Sequence, residues 1–208
     1  MAAKKGEYYD LSKYEVSICL DEYMAMKDLQ QRKLYLNEII HEELTAEYIQ
    51  HILQFNAEDK GIPPEERKPI LLYVSSNGGS VDVGFELIDV IRNSITPVYT
   101  INLGYQYSMG FLIGIAGHKR FAMPNAKFLI HDGSTFIWDS GAKAKDQVKF
   151  QMRVDTKIRE YVLERTNISA EEYDENFRVE WYMLAEDAKA KGVTDYIIGV
   201  DCDLDEII

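Results

Sequence analysis

Apolar residues follow two rhythms along this chain, and they alternate. Residues 70–74 (Ile-Leu-Leu-Tyr-Val) are continuously apolar, as a strand covered on both faces requires. Then Phe85, Leu87, Ile88 and Ile91 recur at helical spacing, which predicts a helix over 83–92. The six residues between (Ser-Ser-Asn-Gly-Gly-Ser, 75–80) read as a turn. Pro97 restarts the chain, and 98–103 is β-rich until Gly104, which is expected to end the strand. Residues 108–116 read as a buried helix rich in small residues, and 120–123 and 127–130 as two strands parted by Pro-Asn-Ala. The order β-α-β-α-β predicts an α/β fold with right-handed crossovers.

The flanks are less regular. A short strand is expected at 32–36 and a helix at 43–56, where Tyr48, Ile49, Ile52 and Leu53 share a face. The charged, proline-bearing stretch 59–68 is a surface loop. Residues 1–30 scatter tyrosines among charges and read as an arm of low regularity. A polar and aromatic stretch at 134–141 leads into a long helix over 142–165. Val154, Ile158, Tyr161 and Val162 form one apolar stripe of that helix, while Val148 and Met152 point elsewhere. Either the helix has two packing partners, or it bends over a single core. A helical turn within 185–195, capped at Lys191-Gly192, and a last strand at 196–200 close the pattern.

Composition narrows the function classes. The 208 residues fit one domain with a small appendage, and 46% hydrophobic with 28% charged residues fit a soluble globular protein. The formal net charge of −12 argues against nonspecific nucleic-acid binding and against attachment to anionic membranes. The longest apolar run, 111–117, is far short of the ~20 residues that span a bilayer. Lys4 and Lys5 are followed by no apolar segment of a signal peptide, so the cytoplasm is the expected compartment. Cys19 and Cys202 lie near opposite ends, and the four histidines show neither HxxxH nor HExxH, so no transition-metal site is expected.

Three places carry candidate chemistry. The double glycine Gly78-Gly79 lets backbone approach a ligand and turns N–H groups into a site, although turns use glycine in any case. Ser108 stands between a strand and a helix, either as an N-cap or as a nucleophile with the Met109 N–H beside it. The turn is not a GxSxG elbow, because Gln106 stands two residues before the serine. His131, at the end of an apolar strand, is either structural or the general base that a serine nucleophile needs.

Together these segments resemble a known family. Tyr73-Val-Ser-Ser-Asn-Gly-Gly-Ser80, Tyr107-Ser-Met-Gly110, Lys119-Arg-Phe-Ala-Met-Pro-Asn125, Ile130-His131 and Ala185-Glu-Asp-Ala-Lys-Ala-Lys-Gly192 occur in that order. The order is similar to that of the proteolytic subunit of the Clp protease (ClpP), over roughly residues 32–198. The resemblance implies a serine endopeptidase with the crotonase-like spiral of ββα units and a protruding helix–strand handle. It implies Ser108 as nucleophile, His131 as general base, and the N–H groups of Gly79 and Met109 as the oxyanion hole. The family's third residue, an aspartate, falls on Glu180 when counted back from Ala185 without a gap, with Asp174 the next choice. Other positions depart as well. Asn77 stands where the family usually has proline, Asp132-Gly133 where it has Gln-Pro, and Tyr105 and Tyr107 where it has small residues. The chain therefore resembles a divergent or accessory-type member.

The resemblance further implies two stacked seven-membered rings, a Clp-type AAA+ unfoldase as partner, and unfolded polypeptides as substrates. Hydrolysis of this kind needs no cofactor, and the chain has no GxxxxGK[ST] motif, so ATP use belongs to a partner. The expected layout is an arm at 1–30, a peptidase domain at 31–200 with its handle at 133–166, and a tail at 201–208. Two other readings remain open: a crotonase-type acyl-CoA enzyme, and a non-catalytic ring subunit.

Overall fold

The computed structural model describes residues 19–133 and 139–207. The run predicted to be covered on both faces becomes β2 (Ile70–Ser76), flanked by β1 (Lys33–Leu36) and β3 (Val98–Tyr107) in parallel. The sheet continues through β4 (Lys119–Ala122) to β7 (Tyr196–Ile197), all parallel. Helices α2 (Glu42–Glu58), α3 (Val81–Asn93) and the wholly buried α4 (Met109–Gly114) connect these strands. Ile70, Leu72 and Val74 are buried on one face of β2. Leu71 and Tyr73 join Ile101, Phe121 and Ile198 in a second apolar cluster, packed by Met123, Cys202 and Ile207. Both faces are therefore dry, as the unbroken apolar run requires.

Gly104 does not end β3. The strand runs on to Tyr107 and changes partners on the way. Residues 99–102 pair with β4, and residues 105–107 pair with β5 (Lys127–Ile130). The register against β2 shifts between Val74 and Ser76, so the glycine marks an irregularity inside a strand. Asn102, fully buried, clips the fork: its Nδ2 donates to the Lys127 carbonyl at 3.0 Å, and its Oδ1 accepts from the Gly104 N–H at 3.0 Å. Beyond β5 lies β6 (Trp181–Leu184), paired antiparallel. The sequence pattern did not reveal β6 or the preceding α6 (Ala170–Asn176). The strand offers only one buried side chain, Met183, and α6 only Tyr173, too few for a period. A cap does mark α6, where the Ser169 hydroxyl accepts from the Glu172 N–H at 3.1 Å.

The described residues divide into two compact units between Gln31 and Arg32. In the first, α1 (Leu20–Gln30) corrects the expectation of an irregular arm; residues 1–18 lie outside the described residues. None of its residues is buried, so no amphipathic rhythm announced it. It is written instead in the capping box between Cys19 and Glu22. In the second unit, Arg32 grips the buried Asp59 through two 2.7 Å bonds, tying the start of β1 to the end of α2.

The long helix α5 (Gly141–Arg165) has two unlike ends. Its C-terminal end docks on α4: the Tyr161 hydroxyl donates to the Leu112 carbonyl, and Arg165 donates to the carbonyls of Ile115 and Gly117. Its first half leaves Val148, Phe150 and Met152 at 46, 62 and 64% exposure. The polar stretch predicted just before it falls largely outside the described residues. A short α7 (Ala185–Ala190) follows β6, with Gly192 at φ 66° past its end, as the predicted cap requires. No helix among the described residues is long and apolar enough to cross a membrane.

Candidate active site

The double-glycine turn leads from β2 into α3 and is held from two sides. Ile40 forms an isolated parallel bridge with Gly79. Its N–H donates to the Gly78 carbonyl and its carbonyl accepts from the Ser80 N–H, both at 2.9 Å. Because that bridge uses the groups of Gly78 and Ser80, the Gly79 N–H is directed away from Ile40. From the other side, the buried Ser76 hydroxyl donates to the Glu38 carbonyl at 2.6 Å and accepts from the Gly78 N–H at 3.1 Å. Gly78 sits at φ 99°, and a Cβ on it would lie 2.7 Å from the Ser108 Cβ and 2.9 Å from the Met109 nitrogen. Only glycine allows that approach.

Ser108 stands where β3 meets α4, with φ 53° and ψ −121°. A non-glycine residue in that region stores roughly 1–3 kcal/mol of strain. Its backbone is over-determined: the N–H donates to the Leu129 carbonyl at 2.9 Å, and the carbonyl accepts from Phe111 and Leu112. Its side chain makes no capping bond. Ser108 thus occupies the N-cap position without making a capping bond, and its hydroxyl has no hydrogen-bond partner among the described residues. The next N–H, that of Met109, has no acceptor among the described residues. Glycines clear the space for this arrangement. The Met109 side chain fills the gap that Gly84 leaves on α3, Gly110 rests against Ser76, and Gly114 against the buried Gln106.

His131 follows β5 directly. Since Tyr107 pairs with Leu129, the histidine lies two residues past the strand position next to the nucleophile turn. In the antiparallel ladder Ile130 pairs with Trp181. The ladder ends at that pair, so His131 and Glu180 are the residues that immediately flank it on the two strands. Glu180 is exposed, and its Oε2 accepts from the Tyr182 hydroxyl at 2.8 Å, a bond that pushes the tyrosine phenol up. Asp174, the other candidate acid, shares a cleft of about 200 Å³ with His131, Asp132, Arg159, Tyr173 and Phe177. Both of its oxygens are taken by Arg159, at 2.7 and 2.8 Å. That guanidinium holds the Asp174 carboxyl below the usual carboxylate range. Burial, with the nearby carboxylates Asp155, Asp174 and Asp132 adding to it, pushes the Tyr173 phenol up to about 12. Among the described residues neither the Ser108 hydroxyl nor the His131 ring has a hydrogen-bond partner, and no group of side chains is set to hold a metal ion.

Sequence reasoning missed Arg159 and Tyr182, the residues that engage the two candidate acids. Glu180 and Tyr182 do stand two apart, the spacing that puts side chains on one face of a strand. That signal becomes usable only once β6 is recognised as a strand.

An α/β fold with a mostly parallel sheet is what the order of elements led one to expect. The Clp protease family profile matches residues 19–201, and the chain belongs to that family. It is 29% identical over 171 residues to the ATP-dependent Clp protease proteolytic subunit 2 of Tropheryma whipplei, covering 81% of this chain and 92% of that one. It is 27% identical over 172 residues to the proteolytic subunit 1 of Bacillus cereus, covering 82% and 86%.

Proposed function

We propose that this chain is the serine endopeptidase subunit of a compartmentalised Clp-type protease. The Ser108 oxygen attacks the scissile carbonyl carbon while its proton passes to His131. The oxyanion that forms is held by the N–H groups of Gly79 and Met109. Collapse expels the amine, which takes the proton from His131, and water then hydrolyses the acyl-enzyme by the same route. Glu180 orients the imidazole. Asp174 is the poorer choice, because Arg159 already occupies both of its oxygens.

The observation that carries the reading is Ser108 itself, held at φ 53° with its Cβ against Gly78 and its hydroxyl uncapped. The exposed Val148, Phe150 and Met152 on α5 support assembly into two stacked heptameric rings through this handle. A Clp-type AAA+ unfoldase would feed unfolded polypeptide to the chamber, in the cytoplasm. The subunit takes the crotonase-like spiral form, with its peptidase domain at 31–200, its handle at 133–166, an arm before and a tail after.

The test is labelling with a serine-reactive fluorophosphonate. The wild-type protein is expected to label once per subunit, and Ser108→Ala to lose both labelling and peptide hydrolysis with assembly intact. Labelling that survives in the variant moves the nucleophile elsewhere. Thioester hydrolysis without peptide hydrolysis would favour the acyl-CoA reading.

A further inference from the structure

We infer that Tyr182 is a positioning residue for Glu180, with Tyr107 bracing its ring, an inference that rests on the role proposed above for Glu180. The three outer strands set side chains in rows. Tyr105, Lys127 and Leu184 share one row, and Tyr107, Leu129 and Tyr182, two steps on, the next row of the same face. Residues two apart on a strand face the same way. Glu180 immediately precedes β6, two residues before Tyr182, and the hydrogen bond between them sets the two side chains together just past the last pair, Ile130 and Trp181.

The contacts follow the rows. The Tyr107 and Tyr182 rings meet edge to face, 5.9 Å apart at 88°, and Tyr105 lies 5.3 Å behind Tyr107. The Tyr182 hydroxyl then donates to Glu180 Oε2 at 2.8 Å. Glu180 Oε1 has no partner among the described residues, which leaves it available to the imidazole in the proposed role.

This arrangement answers a physical difficulty. An exposed glutamate has one more rotatable bond than an aspartate, and holding it in a single rotamer costs entropy. A rigid phenol, itself wedged against a second ring, supplies the restraint with few free torsions of its own. Two departures from the family pattern, the glutamate and the bulky Tyr107, thus become parts of one device.

The experiment is a double-mutant cycle on the assembled protein, read as the rate of fluorophosphonate acylation and as kcat and KM on one quenched-fluorescent peptide. Glu180→Gln alone tests the role of Glu180. Tyr182→Phe keeps the ring and removes the hydroxyl. It is expected to lower kcat about tenfold, the scale of one hydrogen bond to a charged group, with KM within about twofold. In the Glu180→Gln background the same change is expected to have no further effect. If Glu180→Gln is damaging and Tyr182→Phe is silent, the inference fails while the Glu180 role stands. If Tyr182→Phe costs the same in both backgrounds, the tyrosine acts on the fold and the inference fails. If both are silent, or the wild-type protein does not label, the Glu180 role falls and takes the inference with it.

Discussion

The two halves of the candidate site are built on different principles. On the nucleophile side, Ser76, Gly78, Met109 and Gly110 are buried, and main-chain bonds fix the geometry. On the acid side, Glu180, Asp174 and Tyr182 are exposed and held by each other's side chains or by Arg159. The first half is set by sterics that do not relax in water. The second is set by polar contacts that water and salt compete for. On the proposed function, the oxyanion geometry should therefore be fixed by the fold, and the orientation of the base should be tunable.

Changing the buried half should do the most damage. Gly78→Ala places a methyl group against the Ser108 Cβ and the Met109 nitrogen, at a φ that alanine tolerates poorly. We expect loss of roughly 2–4 kcal/mol in stability and loss of fluorophosphonate labelling, read by thermal unfolding and by gel. A stable variant that labels normally would show that the turn is less rigid than its contacts imply.

The acid half should respond in turnover and not in folding. Glu180→Gln is expected to lower peptide turnover by about 10² to 10⁴, since losing the orienting carboxylate of such a triad costs up to about 10⁴. Its thermal midpoint should hardly move. If Asp174→Asn is instead the damaging change, Asp174 must leave Arg159 in the working enzyme and Glu180 is not the acid.

Two ion pairs sharpen the same contrast. Asp59 is buried, hydrogen-bonded to Arg32 and Thr96, and held below the usual carboxylate range chiefly by the Arg32 bond. A carboxyl lowered in the folded state contributes stability that is complete above its unfolded value of about 3.9 and drains away as pH falls through the lower folded value. Acid unfolding below about pH 4 should therefore be blunted in Asp59→Asn, which at neutral pH should lose about 3–5 kcal/mol. The exposed Arg159–Asp174 pair should matter least, with Asp174→Asn costing about 0–1 kcal/mol. A chemical-denaturation series at several pH values measures both.

The same divide decides what a reader of the sequence could see. The run 70–74, the helix 83–92 and the buried α4 announce themselves because burial imposes a period on side chains. Gly78, Gly79 and Ser108 were legible for the same reason, as glycine and serine at a turn between two such elements. Gly104 misled because a glycine inside a strand and one that ends it look alike, and only the change of partner tells them apart. α1, α6 and β6 were silent because at most one of their residues is buried. Arg159 and Tyr182 act across distances in sequence, or within a strand, that no local pattern reports.

The fork of β3 has a consequence for motion. Three register pairs and the Ser108–Leu129 bond join β5 to the far end of β3, whereas the near end is paired on both sides by β2 and β4. On the reading proposed above, an excursion of the β5–β6 ladder would move His131 relative to Ser108 without opening the paired centre of β3. Under the proposed function, any contact that presses β5 against β3 would then act on the placement of the proposed base and not on the fold.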